Sequence, residues 1–530
     1  MKSNLPVLVF LGTILISISS CTDDYFDFDN FRVDPIKPEI AIPLINSSLT
    51  PRDIFLAKET SDAISTNADG FISLVYDKGG LRINSSDLIN IPNQSFREST
   101  NLTTTDISNL PIQGSITKTF SGSYNFNNPN GIRLDSALIK SGSLEFNLSS
   151  DLQHGVNAKV TFPTFLSNGI PLEIDLTASF NGTTPTSDIS LIDLSNYTIS
   201  LDNSSGSRLP LDYEITVNYT GNPLSTQDSI RLSFKTESLE FKSFWGYGGQ
   251  QLITFPQDTL ALTIFKGAVG GNFSVAEPKL TITTINSFGI PFSVQFNRLD
   301  ANTINSGEIP VQLSQNPIFI NEPSFIGDSA ITQVILDANN SNIAPIISSL
   351  PKDFVFDIVA NTNPNGNISQ NFVSDDSQVN VNVKLELPLQ GTLSDYVLVD
   401  TFDFEFDNTQ LLDAATFRTN ITNEFPVDAD IQIYFADGNA RILDSLFIGQ
   451  KKLILSGAID ADGKVIQPTN ETEDTDIDKV GLTNLFRSSK VIIKANLSTT
   501  NSGGTVVRFY DNYRLDVKLG IKAKFNLDFD

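Results

Sequence analysis

A chain of 530 residues with 35 Lys plus Arg against 61 Asp plus Glu, a formal net charge of -26, is repelled by phosphate backbones and anionic lipid surfaces, which argues against nucleic acid as a partner. One Cys and one His rule out a disulfide framework and leave almost no room for His-based zinc, copper or iron sites; a Ser-His-Asp triad would have to use His154. The length suffices for three or four domains, each burying its own core.

The chain opens with Lys2, an apolar run from Leu5 to Ile16 broken by Pro6, Gly12 and Thr13, and small residues up to Cys21. This reads as a secretory signal over residues 1–20, too short to span a membrane. Ile18-Ser19-Ser20-Cys21 resembles a lipobox, in which small residues admit the lipoprotein signal peptidase and the Cys thiol takes the lipid. The alternative is an ordinary secretory signal with a chance Cys. Cys21 is the only Cys and sits where the lipobox needs it, so attachment to the membrane through an N-terminal lipid is expected. Residues 21–35 form an acidic tether, Thr22-Asp23-Asp24-Tyr25-Phe26-Asp27-Phe28-Asp29. Acids directly behind a lipidated Cys resemble the signal that sends Bacteroidota lipoproteins to the outer leaflet of the outer membrane. A lipid-anchored, cell-surface location is the expectation that follows.

Thr50 as N-cap, Pro51 at the first helical position and Asp53 at the third predict a short helix; others are expected near 343–350 and 480–488. Elsewhere period-2 alternation dominates. Val379, Val381, Val383, Leu385 and Leu387 alternate with polar residues, and so do Leu515, Val517, Leu519, Ile521, Ala523, Phe525, Leu527 and Phe529. The fold class is therefore all-β, tandem β-sandwich domains with a few short connecting helices. The expected division is an N-terminal β module over 36–115 and sandwiches over 116–265, 266–395 and 396–530.

Four strands start on the same grammar of Asn or Gly turn, then Pro, then renewed alternation: at Pro171 after Asn168-Gly169-Ile170, at Pro210 after Arg208-Leu209, at Pro291 after Asn286-Ser287-Phe288-Gly289-Ile290, and at Pro426 after Asn423-Glu424-Phe425. Pro fixes φ and withholds a ladder donor, which suits a strand start. The fuller match of the third and fourth copies argues for duplication, against the plainer reading that any all-β chain places Pro after turns. The pattern resembles the sandwich domain of late-embryogenesis-abundant (water-stress) proteins, over about twenty residues per copy. The wider layout, from Ala41-Ile42-Pro43-Leu44 through Asp69-Gly70-Phe71 to the Asn-Ser-Phe-Gly-Ile-Pro turn, resembles uncharacterised Bacteroidota surface lipoproteins.

Five Asp-hydroxyl-aliphatic tripeptides place Ser136, Ser229, Thr259, Ser329 and Ser445 where a Bacteroidota-type O-glycosylation sequon would put the acceptor; the same dipeptides also start turns. Trp245 and Tyr247, among glycines in Phe244-Trp245-Gly246-Tyr247-Gly248-Gly249, could form a platform for a sugar face, or tuck into a domain junction. Asp460-Ala461-Asp462-Gly463 and Asn67-Ala68-Asp69-Gly70 lack the final bidentate Glu of a calcium loop and read as hairpin turns. The acidic run 471–478 reads as a solvated loop and His154 as a surface residue. No metal and no cofactor is expected. The leading expectation is a non-enzymatic surface lipoprotein with an adhesive, structural or assembly-accessory role, binding glycans or other outer-membrane proteins. The alternatives are a glycan-binding accessory of nutrient uptake and a carrier of apolar ligands, since long amphipathic strands can enclose a cavity. Glycoside hydrolysis by two carboxylates stays open, with no pair marked for it.

Overall fold

Alternation translates directly into burial. In the strand Gln378–Pro388, Val379, Val381, Val383, Leu385 and Leu387 all enter the core while the residues between them stay half-buried, because successive side chains leave a strand on opposite faces. The computed structural model describes residues 37–55, 64–129, 131–204, 206–265, 267–367, 370–403, 412–447 and 451–525. Cys21, the acidic tether and residues 526–530 of the last predicted strand lie outside them. Strand makes up 62% and helix 8%, so the all-β class with a few short helices holds.

The strands form three units. The first is a ten-stranded antiparallel sheet built on two long strands, Arg133–Ser150 and Ser229–Tyr247. Phe146, Phe162 and Phe234 come from three of its strands and pack ring to ring, with centroids 5.8, 5.9 and 6.3 Å apart. The second, a middle sandwich, has one sheet in the order Ile64–Thr66, Ile72–Asn84, Gln378–Pro388, Lys279–Asn286, Ala330–Leu336 and a second centred on Pro351–Thr362 and Phe292–Thr303. The third, a C-terminal sandwich, has one sheet in the order Glu39–Leu49, Leu515–Phe525, Leu412–Asn423, Thr469–Ile477. Its other sheet runs Ala268–Val275, Gln390–Asp403, Lys490–Thr499, Val427–Ala436.

The two sandwiches are copies of one design. In each, an inner strand of the first sheet ends on a buried Asn, an arch carries the chain across to the second sheet, and a helix later leads back into that sheet: Ile343–Ser348 in one, Lys479–Arg487 in the other. The arches match bond for bond. Asn286 Oδ1 accepts from the Phe288 N–H (2.9 Å) and Asn423 Oδ1 from the Phe425 N–H (2.8 Å). Asn286 Nδ2 donates to the Ile290 and Asn321 carbonyls, and Asn423 Nδ2 to those of Val427 and Leu455. Across the arch, the Asn363 N–H donates to the Pro291 carbonyl and the Thr500 N–H to that of Pro426. Each Asn satisfies three backbone groups that the turn would otherwise bury unpaired.

The four Pro-led strand starts are therefore not one grammar. Pro291 and Pro426 close arches between sheets. Asn168 and Gly169, both at positive φ (51° and 81°), form a two-residue hairpin within one sheet. Pro210 lies inside the strand Arg208–Asn218, before the stretch that pairs with Gly155–Ser167, so its missing donor costs no bond there. Residues 36–115 do not build a sheet of their own. Glu39–Leu49 joins the C-terminal sandwich, Ile72–Asn84 the middle one and Ser95–Asn101 the ten-stranded sheet. Alternation tells which face of a strand is buried and carries no record of its partner. The acidic run 471–478 is mostly strand: Thr469–Ile477 forms an edge of the C-terminal sandwich, paired to Leu412–Asn423 by nine residues in register. Charges on a free edge discourage the addition of a foreign strand.

Candidate functional site

The duplicated design makes the cores comparable position by position. In the middle sandwich Phe292, Val294 and Phe296 lie opposite Thr362, Ala360 and Ile358; in the C-terminal one Val427, Ala429 and Ile431 lie opposite Thr499, Leu497 and Ala495. Further along, the pairs Leu299–Phe356 and Ala301–Phe354 correspond to Ile433–Ile493 and Phe435–Val491. Phe292, Phe354 and Phe356 are fully buried, and aliphatic side chains replace all three in the C-terminal copy. On the other sheet, Val379, Val381 and Val383 are buried, whereas their counterparts Leu515, Val517 and Leu519 are only half-buried. Interiors are ordinarily packed to crystal density; Phe435 supplies a ring where the middle sandwich has Ala301, so the ring that is lost without replacement beside open space is that of Phe292, at Val427.

Beside Val427 lies a cavity of about 570 Å³, within the range of sites that hold a drug-sized ligand. Val427, Ala429, Leu497, Leu398, Ile454 and Leu515 are among the apolar residues that form its wall. Several polar groups in the wall are already committed. The Tyr396 hydroxyl donates to the Ile264 carbonyl (3.2 Å), and burial pushes its pKa up, so it stays neutral. Thr499 Oγ1 accepts from the Leu393 N–H (3.3 Å), repeating the Thr362 Oγ1 bond to the Gln251 N–H (2.8 Å) in the sister copy. Asn423 holds its arch. Half-buried Gln390 and Thr392 have side chains with no hydrogen-bond partner among the described residues. Among the described residues Asp400 is the one charged side chain in the wall, and it is exposed.

A backbone triangle holds the floor. The Ile72 N–H donates to the Phe509 carbonyl (3.1 Å), the Phe509 N–H to Leu389 (3.0 Å) and the Leu389 N–H to Ile72 (2.9 Å), joining the two sandwiches. Beside it Phe71, Tyr510, Tyr513 and Phe425 cluster, with Phe71–Tyr510 edge-to-face at 5.9 Å and Phe425–Tyr513 at 5.9 Å. The wall is therefore pre-formed, built on strands and a pinned junction.

The residues singled out in the sequence lie elsewhere. Trp245 and Tyr247 belong to the end of the strand Ser229–Tyr247, not to an exposed loop. Trp245 is half-buried between Ser136 and Phe372 of neighbouring strands. The glycines after it are locked in the junction with the middle sandwich, where Asn371 Oδ1 accepts from the Gly248 N–H and Asn363 Nδ2 donates to the Gly249 carbonyl, both at 2.9 Å. Of the five sequon hydroxyl residues, Thr259 and Ser329 are exposed; Ser136, Ser229 and Ser445 are half-buried. Both Gly-ended acidic turns are hairpin turns: Gly70 and Gly463 have φ of 85° and 80°, and Asp460 Oδ1 accepts from the Asp462 and Lys464 N–H groups. No cluster of three metal-ligating side chains occurs among the described residues.

His154 is fully buried, contrary to its polar neighbourhood. Its Nδ1 accepts from the Thr220 N–H (3.1 Å), and its ring lies 5.2 Å from that of Tyr219. Burial, the largest cause, lowers its pKa below the usual 6.5, partly opposed by the nearby Asn222 and Pro223 backbone. The folded state thus holds the neutral imidazole, while the unfolded chain takes up a proton near the ordinary value. Its contribution to stability is full above that pH and is lost as pH falls toward the folded-state pKa. Denaturant melts between about pH 7.5 and 5.5 should show stability falling with acid, and His154→Asn, which keeps an acceptor for Thr220, should flatten the slope. An unchanged slope would assign it to carboxylates.

No family model matches the chain, and no curated protein matches it; the late-embryogenesis resemblance thus finds no support. Among solved structures, a Parabacteroides distasonis protein described as secreted is 13% identical at a TM-score of 0.24, covering 53% of this chain and 89% of its own. An infectious bursal disease virus structure (Gt strain) is 10% identical at a TM-score of 0.14, covering 90% of both chains. At such TM-scores neither assigns a fold, which is taken instead from the chain's own strand pairing.

Proposed function

We propose that the chain is an exported, lipid-tethered envelope protein whose C-terminal sandwich binds and carries an apolar small molecule. The observation behind this reading is the hollow itself, bordered by Val427 where the sister copy buries the ring of Phe292. An apolar recess of this size leaves its lining without the packing partners that a core supplies and is the usual form of a small-molecule site. A space of this size in a duplicated design is better explained by a ligand that fills it. The lipobox at Cys21 supports the tether. The scaffold reading keeps one observation in its favour: a single hydrophobic cluster runs from Ile72 to Tyr396 and joins the ten-stranded sheet to the middle sandwich, which makes these units a stiff spacer. A spacer and a carrier are compatible roles, with the carrier at the tethered end, since Glu39–Leu49 of the C-terminal sandwich follows Cys21 in the chain.

One measurement tests both parts of the proposal. A native mass spectrum of protein extracted gently from its own cells should show a mature chain starting at Cys21 with covalent lipid, plus a non-covalent apolar mass that disappears on denaturation. A chain free of any adduct, and showing no saturable binding of apolar probes afterwards, would leave only the scaffold role.

A further inference from the structure

The two sheets of the C-terminal sandwich stay open along one edge. On the strand Glu39–Leu49, Ile40 and Ile42 stand opposite Ala523 and Ile521 in the register, and on the strand Gln390–Asp403, Phe402 stands opposite Val491. Directly opposed residues share a face of their sheet. Ile521 and Ala523 are buried in the core cluster between the sheets, and Val491 packs against it. Ile40, Ile42 and Phe402 therefore face the same interlayer space, one pair from each side's edge of it and the ring from the other, yet they are 46, 47 and 49% exposed. This open edge is continuous with the hollow: Tyr396, Leu398 and Asp400 of the wall follow one face of their strand to Phe402, two residues further on.

We propose that this edge is the mouth of the hollow and that it docks on the bilayer holding the Cys21 lipid, so that the apolar ligand passes between bilayer and hollow without crossing water. This deepens the carrier reading and rests on it. Two observations select a bilayer as the occupant. Glu39, which starts the strand at the mouth, follows Cys21 by eighteen residues, so even a fully extended tether keeps it within about 60 Å of the lipid. Charge at the rim also departs from that of the chain as a whole. Among the described residues Glu39 is ion-paired with Lys522 and Lys524, and Asp403 with Lys490. With exposed Lys37, four lysines stand against these two acids and Asp400, in a chain whose net charge is -26. Lipid head groups thus meet no acidic wall at this place, and the apolar side chains can enter between them. A ligand released into water would forfeit the burial that holds it; a mouth seated in the bilayer removes that step.

The test uses the mature chain from residue 21 made as Cys21→Ser, so that no lipid adds to docking, and phosphatidylcholine vesicles carrying a pyrene-labelled long-chain alcohol. The rate constant for transfer of the probe from vesicle to protein should rise with protein concentration, the mark of transfer on contact; passage through water runs at the rate at which probe leaves the vesicle, whatever the acceptor concentration. Combined Ile40→Ser, Ile42→Ser and Phe402→Ser should slow transfer about ten-fold or more and weaken binding of probe supplied from solution much less. Phe402→Ser alone should act in the same direction. A rate indifferent to protein concentration, or unchanged in both rim variants, would overturn docking on the bilayer and leave a hollow filled through water or by a partner protein. Equal losses of transfer and of affinity for dissolved probe would assign the three side chains to the binding site itself, against docking. Failure of the parent chain to bind the probe, or binding undisturbed in both Val427→Phe and Ala429→Val, would overturn the carrier reading beneath it. Ala429→Val serves as the second variant because Val294 holds the sister position.

Discussion

Val427→Phe is expected to stabilise the protein and to abolish its binding of apolar probes. Position 427 begins the strand after its arch just as Phe292 does in the middle sandwich, opposite Thr499 where Phe292 faces Thr362. Phe292 is fully buried there, with its ring 5.7 Å from that of Phe288. Phe425 stands where Phe288 does relative to the arch Asn and is likewise buried. The local backbone therefore already accepts a ring at this site in the sister copy, and the hollow offers room for it. Cavity filling of this kind commonly adds about 0.5–2 kcal/mol, read as a higher midpoint in denaturant at unchanged slope. Probe affinity should drop by more than about ten-fold, equivalent to about 1.4 kcal/mol. Gain of stability with binding intact would place the ligand elsewhere. Loss of stability would mean that the hollow is narrower than it measures and that the added ring is overpacked.

How much of this was legible in the sequence depends on which physical question is asked. Burial along a strand was, because alternation is local: the five apolar residues of Gln378–Pro388 are buried as read. So were the helices at Pro51–Phe55, Ile343–Ser348 and Lys479–Arg487. The Thr50–Asp53 capping pair forms, with the Asp53 N–H donating to Thr50 Oγ1 and the Thr50 N–H to Asp53 Oδ2. The helix Thr104–Gln113 was missed although its signals are present. Thr103 and Asp106 form a capping box at its start and Gly114, at φ 79°, closes it; Pro111 sits inside it, a residue ordinarily disfavoured in a helix interior. The duplication was half visible in the matching Asn-x-Phe and Pro of two turns. The identity of strand partners was not, since pairing between residues more than four hundred positions apart, as in Ile42 with Ile521, leaves no local trace. The hollow was invisible for a related reason. Val427 and Ala429 are ordinary core residues singly, and only their alignment with Phe292 and Val294 shows what volume is missing.

The arch asparagines carry the second large effect. Asn286 is fully buried, and Asn286→Ala would leave the Phe288 N–H and the Ile290 and Asn321 carbonyls without their partner. Each buried backbone group left unpaired costs about 1–3 kcal/mol, so a loss on the order of 3–5 kcal/mol is expected, large among single substitutions. Asn286→Asp separates the contributions. It keeps an oxygen for the Phe288 N–H but turns the other end into a carboxylate facing two carbonyls, where the charged form is opposed by both burial and repulsion. The folded state of this variant should hold a proton that the unfolded chain releases near the ordinary Asp value, so its stability falls as pH rises through neutrality and recovers in part toward acid. Asn286→Ala has no such group, and its deficit should stay flat across the same range. Melts of both variants from about pH 5 to 8 settle the matter: a small loss in Asn286→Ala, or a pH slope no different between the two, would mean that the arch is held by its Pro and Phe packing and not by the asparagine amide. The same substitutions at Asn423 should weaken the C-terminal sandwich and, because that asparagine stands in the wall of the hollow, reduce probe binding as well.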